Sequence, residues 1–264
     1  PDMRGYGASS VPSDRSRYRM DCLVADLVAL VDAAACDQAA LVGHDWGAAI
    51  CWHAALLEPT RFHCVAAMSV PYLGQSAEAP TEIWNRRYGG RFYYILYHQQ
   101  EGVAEAEYDA DPEGLLRMLY ASPDSPRAAA PISNPAASAG GFIGRWGRPL
   151  DLPDWLSEQD LSYYVEEFSR TGFRGGLNYY RNIDANWVYM RGRPHVVRQP
   201  ALFLVGDSDL VIHGMSQSDL AERMSASVPQ LQDIVWMPGK GHWLQQEAPG
   251  QCNEALLEFL QQFN

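Results

Sequence analysis

The sequence predicts an α/β protein: a mostly parallel sheet carrying an inserted α-helical cap. Two observations lead there. Four short runs, AALVGH (39–44), CVAAMSV (64–70), ALFLVGD (201–207) and DIVWMPG (233–239), are near-continuously apolar, as strands buried on both faces of a parallel sheet are. The long stretch 71–196 between the second and third runs holds no comparable run and is rich in tyrosine, glycine and proline.

Each element follows from its own pattern. Helical spacing of apolar residues marks 20–34 (MDCLVADLVALVDAA), 47–57, 215–226 and 253–263. Their order, helix, strand, helix, strand and later strand, helix, strand, helix, is that of a doubly wound core. Residues 1–70 and 197–264 are therefore expected to form the core, and 71–196 the cap. Helices such as EQDLSYYVEEFSRTGF (158–173) have no strand partner there and must bury their faces on one another or on the core. The run SPDSPRAAAPISNPAASAGG (122–141) is the expected mobile loop, because proline, serine and glycine favour turns over regular elements.

Composition narrows the function. With 264 residues, 47% of them hydrophobic, the chain has enough apolar material for a sizeable core, at a length that suits one domain or one domain with an insertion. A net charge of −12 argues against a nucleic-acid surface, which needs clustered lysine and arginine. Five cysteines show no paired metal-site spacing, and most of them read as reduced core residues. No apolar run is long enough to span a bilayer, and the first residues are not a signal peptide, so a cytoplasmic location without membrane insertion is expected. The chain opens at Pro1 in what reads as a loop leaving a strand, and an N-terminal truncation is expected.

The chemistry starts at GHDWGA (43–48). A tight Gly-x-x-x-Gly turn between a strand and a helix exposes the side chain at its apex, and its glycines are expected to relieve crowding. Here the apex is Asp45. A serine there suits acyl substrates. A carboxylate suits attack on a saturated carbon, because the ester it forms has a carbonyl that water can attack, whereas serine would leave an inert ether. The plainer alternative is a solvated turn residue or helix cap. An aspartate nucleophile needs an oriented base, and PGKGHW (238–243) places His242 on a glycine-rich loop after the last apolar run. LVGDSDL (204–210) offers Asp207 and Asp209 after the run before it. Asp209 is the expected orienting acid and Asp207 a loop support, within the triad logic of a base held by a carboxylate.

With these motifs in place the sequence resembles epoxide hydrolases of the α/β-hydrolase superfamily, of the soluble type, along essentially the whole chain. DMRGYGASS (2–10), GHDWGA (43–48), GVAEAE (102–107), TGFRGGLNYYRN (171–182) and GHWLQQEAP (241–249) carry the likeness. The resemblance implies conversion of a small apolar epoxide and water into a vicinal diol through an alkyl ester on Asp45, with no cofactor and no metal. It also implies that Tyr94 in RFYYILY and Tyr180 in LNYYRN hold and protonate the epoxide oxygen, while Tyr93, Tyr97 and Tyr179 pack. The backbone N–H of Trp46 would supply one oxyanion donor. The family's other donor lies on an HGxP loop that does not occur in these residues, so this chain alone is expected to be poorly soluble and nearly inactive. A homodimer is compatible with the sequence.

Two rivals remain at this level. A haloalkane or haloacid dehalogenase would use the same Asp-His-Asp set, with Trp46 and one of Trp84, Trp146, Trp155 or Trp187 holding the halide. A non-catalytic ligand-binding protein would keep the fold alone. Paired tyrosines favour an oxygen leaving group that needs a proton, and the three triad positions favour an enzyme.

Overall fold

The computed structural model describes residues 1–263 apart from Pro123. It divides into two compact units: residues 20–75 with 190–264, and residues 1–19 with 76–189.

The first unit holds the sheet. Strands β1 (Ala39–His44), β2 (Phe62–Met68), β3 (Ala201–Gly206) and β4 (Leu231–Met237) lie in the order β1-β2-β3-β4. All neighbours are parallel, with Val42 opposite Ala66, Ala66 opposite Leu202 and Phe203 opposite Ile234. Every residue of β3 is buried, as its unbroken apolar sequence requires of a strand covered on both faces. Helices Met20–Ala33, Trp46–Leu57, Gln217–Ser227 and Pro249–Leu260 accompany the strands. Cys64, Ala66, Met68, Leu202, Leu204, Met237, Leu244, Cys252 and Phe259 form one apolar cluster. Trp52, fully buried, satisfies its indole by donating to Val70 O at 3.0 Å.

The elements match the sequence patterns except at their ends and in the burial of the two outer strands, where only Leu41 and Gly43 of β1 and Met237 of β4 are buried; each shift of an end has a cause. β2 stops at Met68 rather than at 70, because Ser69 turns out of the strand with φ 68. β4 stops before Pro238, which has no N–H to give the ladder. The last helix begins at Pro249, four residues early, where a proline fits the first turn. The cysteines are free, and Cys51, Cys64 and Cys252 are buried.

The second unit is helical, with Pro80–Tyr88, Val103–Tyr108, Pro112–Tyr120, Glu158–Thr171 and Arg174–Arg181 among its helices. Ala104, Tyr108, Leu115, Leu116, Leu156, Leu161, Phe173 and Leu177 make its core. Ser157 and Asp160 form a capping box that starts the helix Glu158–Thr171, satisfying otherwise orphaned amides. The division differs from the expected 1–70 and 71–196 boundaries chiefly at residues 1–19. A Cβ on Gly175 would lie 2.4 Å from Gly5 O, so two backbones meet where only glycine fits. Tyr179 donates to Arg4 O at 2.7 Å and its ring lies 5.7 Å from that of Tyr18. Nothing in the composition of 1–19 announces these contacts.

The segment 122–141, whose Pro123 lies outside the described residues, is irregular as its composition predicts. It is also tied down. Arg145 donates to the carbonyls of Asn134, Ala136, Gly140 and Gly141 and covers the Phe92 ring at 4.2 Å. Ala128 and Ile132 donate to Arg148 O and Gly144 O. Among the described residues no helix is long and apolar enough to cross a membrane.

Candidate active site

The turn after β1 is tight because Gly43 permits it. A Cβ there would lie 2.4 Å from Gly47 O and 2.7 Å from Cys51 Sγ. Gly47 differs from the expectation: a Cβ on it would meet nothing within 4 Å, so it is Gly47's backbone that does the crowding. Asp45 itself takes φ 53 and ψ −119, a region sparsely populated by residues with a side chain. The strain is held by a hydrogen bond from Asp45 N to Met68 O and by the helix that starts at Trp46.

His242 lies beside Asp45. Its Nε2 is 2.9 Å from Asp45 Oδ1, and its Nδ1 is 3.1 and 3.2 Å from the two carboxylate oxygens of Asp209. A carboxylate only accepts, so an imidazole that meets one on each nitrogen must donate from both and is a cation. Electrostatics agree with this geometry. Burial pushes the His242 pKa down, but the hydrogen bonds and charges of Asp209 and Asp45 carry it up to about 10. Burial likewise pushes Asp45 up, and the hydrogen bond and charge of His242, with those of His44 and the Trp46 N–H, hold it below its ordinary value. The Asp45 side chain keeps 31% of its surface exposed and that of Asp209 none. One carboxylate is accessible to a reactant and the other is not.

Asp209 is fixed by accepting from Val211 N at 2.9 Å. Asp207, the other candidate, points elsewhere and accepts from Gly239 N at 2.8 Å. Gly206 lets the loop close over the end of β3, since a Cβ there would lie 2.2 Å from Lys240 O. Three side chains that the sequence reading passed over also face this loop. His44 Nε2 and Ser69 Oγ both donate to His242 O, at 2.7 and 2.9 Å. The Glu247 carboxylate accepts from Gly241 N and Trp243 N, at 2.8 and 3.0 Å. Glu247 is visible in GHWLQQE as an acid close behind the histidine; no local signal marks Ser69.

In the helical unit Tyr94 and Tyr180 have ring centroids 5.9 Å apart, edge to face. His98 touches both rings, at 5.5 and 4.7 Å, and its Nε2 is 2.8 Å from Tyr108 Oη. Burial, and then the charge of Arg181, push His98 down to about 3, so it is neutral. Tyr97 donates to Glu107 at 2.8 Å and Tyr179 to Arg4 O. Trp187 donates to Ser76 O at 2.8 Å. Among the described residues no group of three or more His, Cys, Asp or Glu is arranged to hold a metal ion.

Known proteins are similar to this chain along most of its length. The alpha/beta hydrolase fold family matches residues 1–249. The chain is 42% identical to Epoxide hydrolase A of Mycobacterium tuberculosis (strain ATCC 25618 / H37Rv) over 98% of its own length and 80% of that protein. The chain belongs to the epoxide hydrolases of the α/β-hydrolase family. It is also 32% identical to the Bifunctional epoxide hydrolase 2 of Sus scrofa, spanning 98% of this chain but only 45% of that longer protein. The crystal structure of Epoxide Hydrolase A from Mycobacterium thermoresistibile superposes with a TM-score of 0.87 at 42% identity, covering 99% of this chain and 81% of that one.

Proposed function

We propose that this protein hydrolyses epoxides to vicinal diols through a covalent ester on Asp45. The observation that carries the reading is the accessible carboxylate at the elbow apex, paired at 2.9 Å with a histidine that a second, buried carboxylate orients. The two relatives named above, both called epoxide hydrolases, support the substrate class.

In the first step an Asp45 oxygen attacks a ring carbon, a carbon–oxygen bond forms, and the epoxide C–O bond breaks. The alkoxide takes a proton from the phenol of Tyr94 or Tyr180, donors that stay protonated at neutral pH. Esterification removes the Asp45 charge, one of the groups that raise His242. His242 then gives up its proton, which replaces the one spent on the alkoxide, and becomes a neutral base held by Asp209. In the second step it takes a proton from water as the water oxygen attacks the ester carbonyl carbon. The Trp46 N–H holds the oxyanion. Collapse breaks the ester C–O bond, the leaving alkoxide takes the remaining proton of that water, and the resting Asp45 carboxylate and His242 cation are restored. With the resting histidine charged, the protons balance among these residues and one water.

The dehalogenase alternative is weaker. The Trp187 indole is already committed to Ser76 O, and two adjacent tyrosines suit a leaving oxygen that must be protonated. The same residues would assign the helical segment the role of a cap that supplies the proton donors.

The test is a His242→Gln variant exposed to styrene oxide, digested, and weighed at the Asp45 peptide. The expected result is a peptide heavier by one substrate molecule and no sustained diol release. An unmodified peptide with continued substrate consumption overturns the reading, and halide release from a haloalkane with no epoxide turnover replaces it with the alternative.

A further inference from the structure

The hydrolytic step asks more of His242 than the alkylation step does. While Asp45 is a carboxylate, the imidazole is held on both nitrogens. Once Asp45 is esterified that grip is gone, and the ring keeps its hydrogen bond to Asp209 on one side only, with the His44 and Trp243 rings packed beside it at 4.7 and 5.2 Å. The base must nevertheless meet a water proton within ordinary hydrogen-bond reach. Its loop is a poor support by composition. Gly239 has φ 70, and glycines at 239 and 241 leave the backbone more freedom than any other residue would.

Four hydrogen bonds compensate. Glu247 receives the amides on either side of His242, and the His242 carbonyl receives both His44 Nε2–H and Ser69 Oγ–H. Because a carbonyl can only accept, the His44 tautomer is set with its proton on Nε2. Ser69 is the informative member. It is fully buried and adopts φ 68, a conformation that strains any residue with a Cβ and that glycine adopts freely. The His242 carbonyl is already satisfied by the bond from His44, so the second donor is not needed to avoid an orphaned acceptor. A strained serine with its hydroxyl on the backbone of the base costs stability that a glycine there would not.

We propose that Ser69 is a positioning residue for ester hydrolysis: with His44 and Glu247 it clamps the backbone of residues 241–243 and so sets where the His242 imidazole meets the attacking water. The proposal rests on the epoxide hydrolase reading above. It requires the effect of losing the clamp to fall on the second step, because in the first step Asp45 itself holds the imidazole.

Ser69→Ala removes the hydroxyl and keeps the strain; Ser69→Gly removes both; Ser69→Thr keeps the hydroxyl. Each is mixed rapidly with styrene oxide, quenched over time, and the ester on the Asp45 peptide followed by mass, with thermal melting recorded alongside. The expected result for Ala and Gly is ester formation within about three-fold of the parent and ester hydrolysis slowed about ten- to a hundred-fold, the loss typical of a misplaced catalytic group. Ester accumulates as a consequence, and Thr restores its hydrolysis. Ser69→Gly is expected to melt no lower than Ser69→Ala while remaining as slow, a split that a merely structural serine would not produce. Glu247→Gln, on the other side of the loop, is expected to slow the same step and serves if the Ser69 variants fail to fold. Ester hydrolysis at the parental rate in the folded variants, or equal slowing of both steps, overturns the proposal. A parent protein that forms no ester overturns instead the reading beneath it, and the two failures are told apart by that control.

Discussion

Asp45 and His242 are charged groups held by backbone: a strained turn, glycine contacts and a loop in which the Gly241 and Trp243 amides and the His242 carbonyl are bonded. Tyr94 and Tyr180 are phenols packed among rings. His98, kept neutral by burial, lies against both, and Phe142 lies 6.3 Å from Tyr94. Beneath them a buried ion pair ties the helices: Arg181 meets Glu105 at 2.6 and 2.7 Å and also donates to His98 O. The difference follows from the work each region is proposed to do. A nucleophile and its base need charge aimed at one point, which backbone geometry can hold to a fraction of an ångström. A proton donor needs an uncharged phenol, which an apolar, ring-lined setting favours because it penalises ionisation.

The sharpest way to break this contrast is at the charged end. Asp45→Ala removes the only atom proposed to bond the substrate, and diol formation should fall on the order of ten-thousand-fold or more, as loss of a nucleophile does. A residual rate within a hundred-fold of the parent, measured by diol release, would mean that water is activated without a covalent step. Next in size is the ion pair of the helical unit. Arg181 has a fully buried side chain and Glu105 a nearly buried one, so Arg181→Met leaves an unpaired carboxylate and should cost about 3 to 5 kcal/mol in denaturant unfolding. A loss below 1 kcal/mol would show that the rings alone hold that region.

Smaller effects sharpen the comparison. Tyr94→Phe and Tyr180→Phe keep the ring and lose one transition-state donor each, about 2 to 4 kcal/mol of barrier, and the loss should appear in alkylation rather than in ester hydrolysis. Single variants that alkylate at the parental rate would remove both residues from the site. The smallest expected effect is in pH dependence. His242 is raised in the folded state, so its contribution to stability is complete below the ordinary histidine value of about 6.5 and is lost as pH rises through about 10. Asp45→Asn removes one of the charges responsible, so the variant's histidine should titrate lower and its stability should fall at a lower pH. Nitrogen-15 shifts of His242 across that range measure it; an unchanged titration would mean that Asp209 alone sets the base.

Much of this is legible in the sequence. The unbroken apolar run ALFLVG reads as a strand covered on both faces, as β3 is, and a carboxylate between Gly43 and Gly47 suggests its proposed chemistry by its residue type. Asp45, Asp209 and His242 were reachable because each follows directly on an apolar run, and in a parallel sheet the ends of successive strands fall on one edge. The donor role proposed for Tyr94 and Tyr180 comes from resemblance, since fourteen tyrosines offer no local mark that separates a donor from a packed ring. Tertiary structure alone decided the rest. Asp209 rather than Asp207 meets His242 because the turn after β3 aims one carboxylate inward and the other at Gly239 N. Residues 1–19 join the helical unit because Gly5 meets Gly175, 170 positions away in the chain. Ser69 bonds a carbonyl 173 residues further on. Contacts of that separation are set by which strand ends stand side by side, and no window of sequence contains both partners.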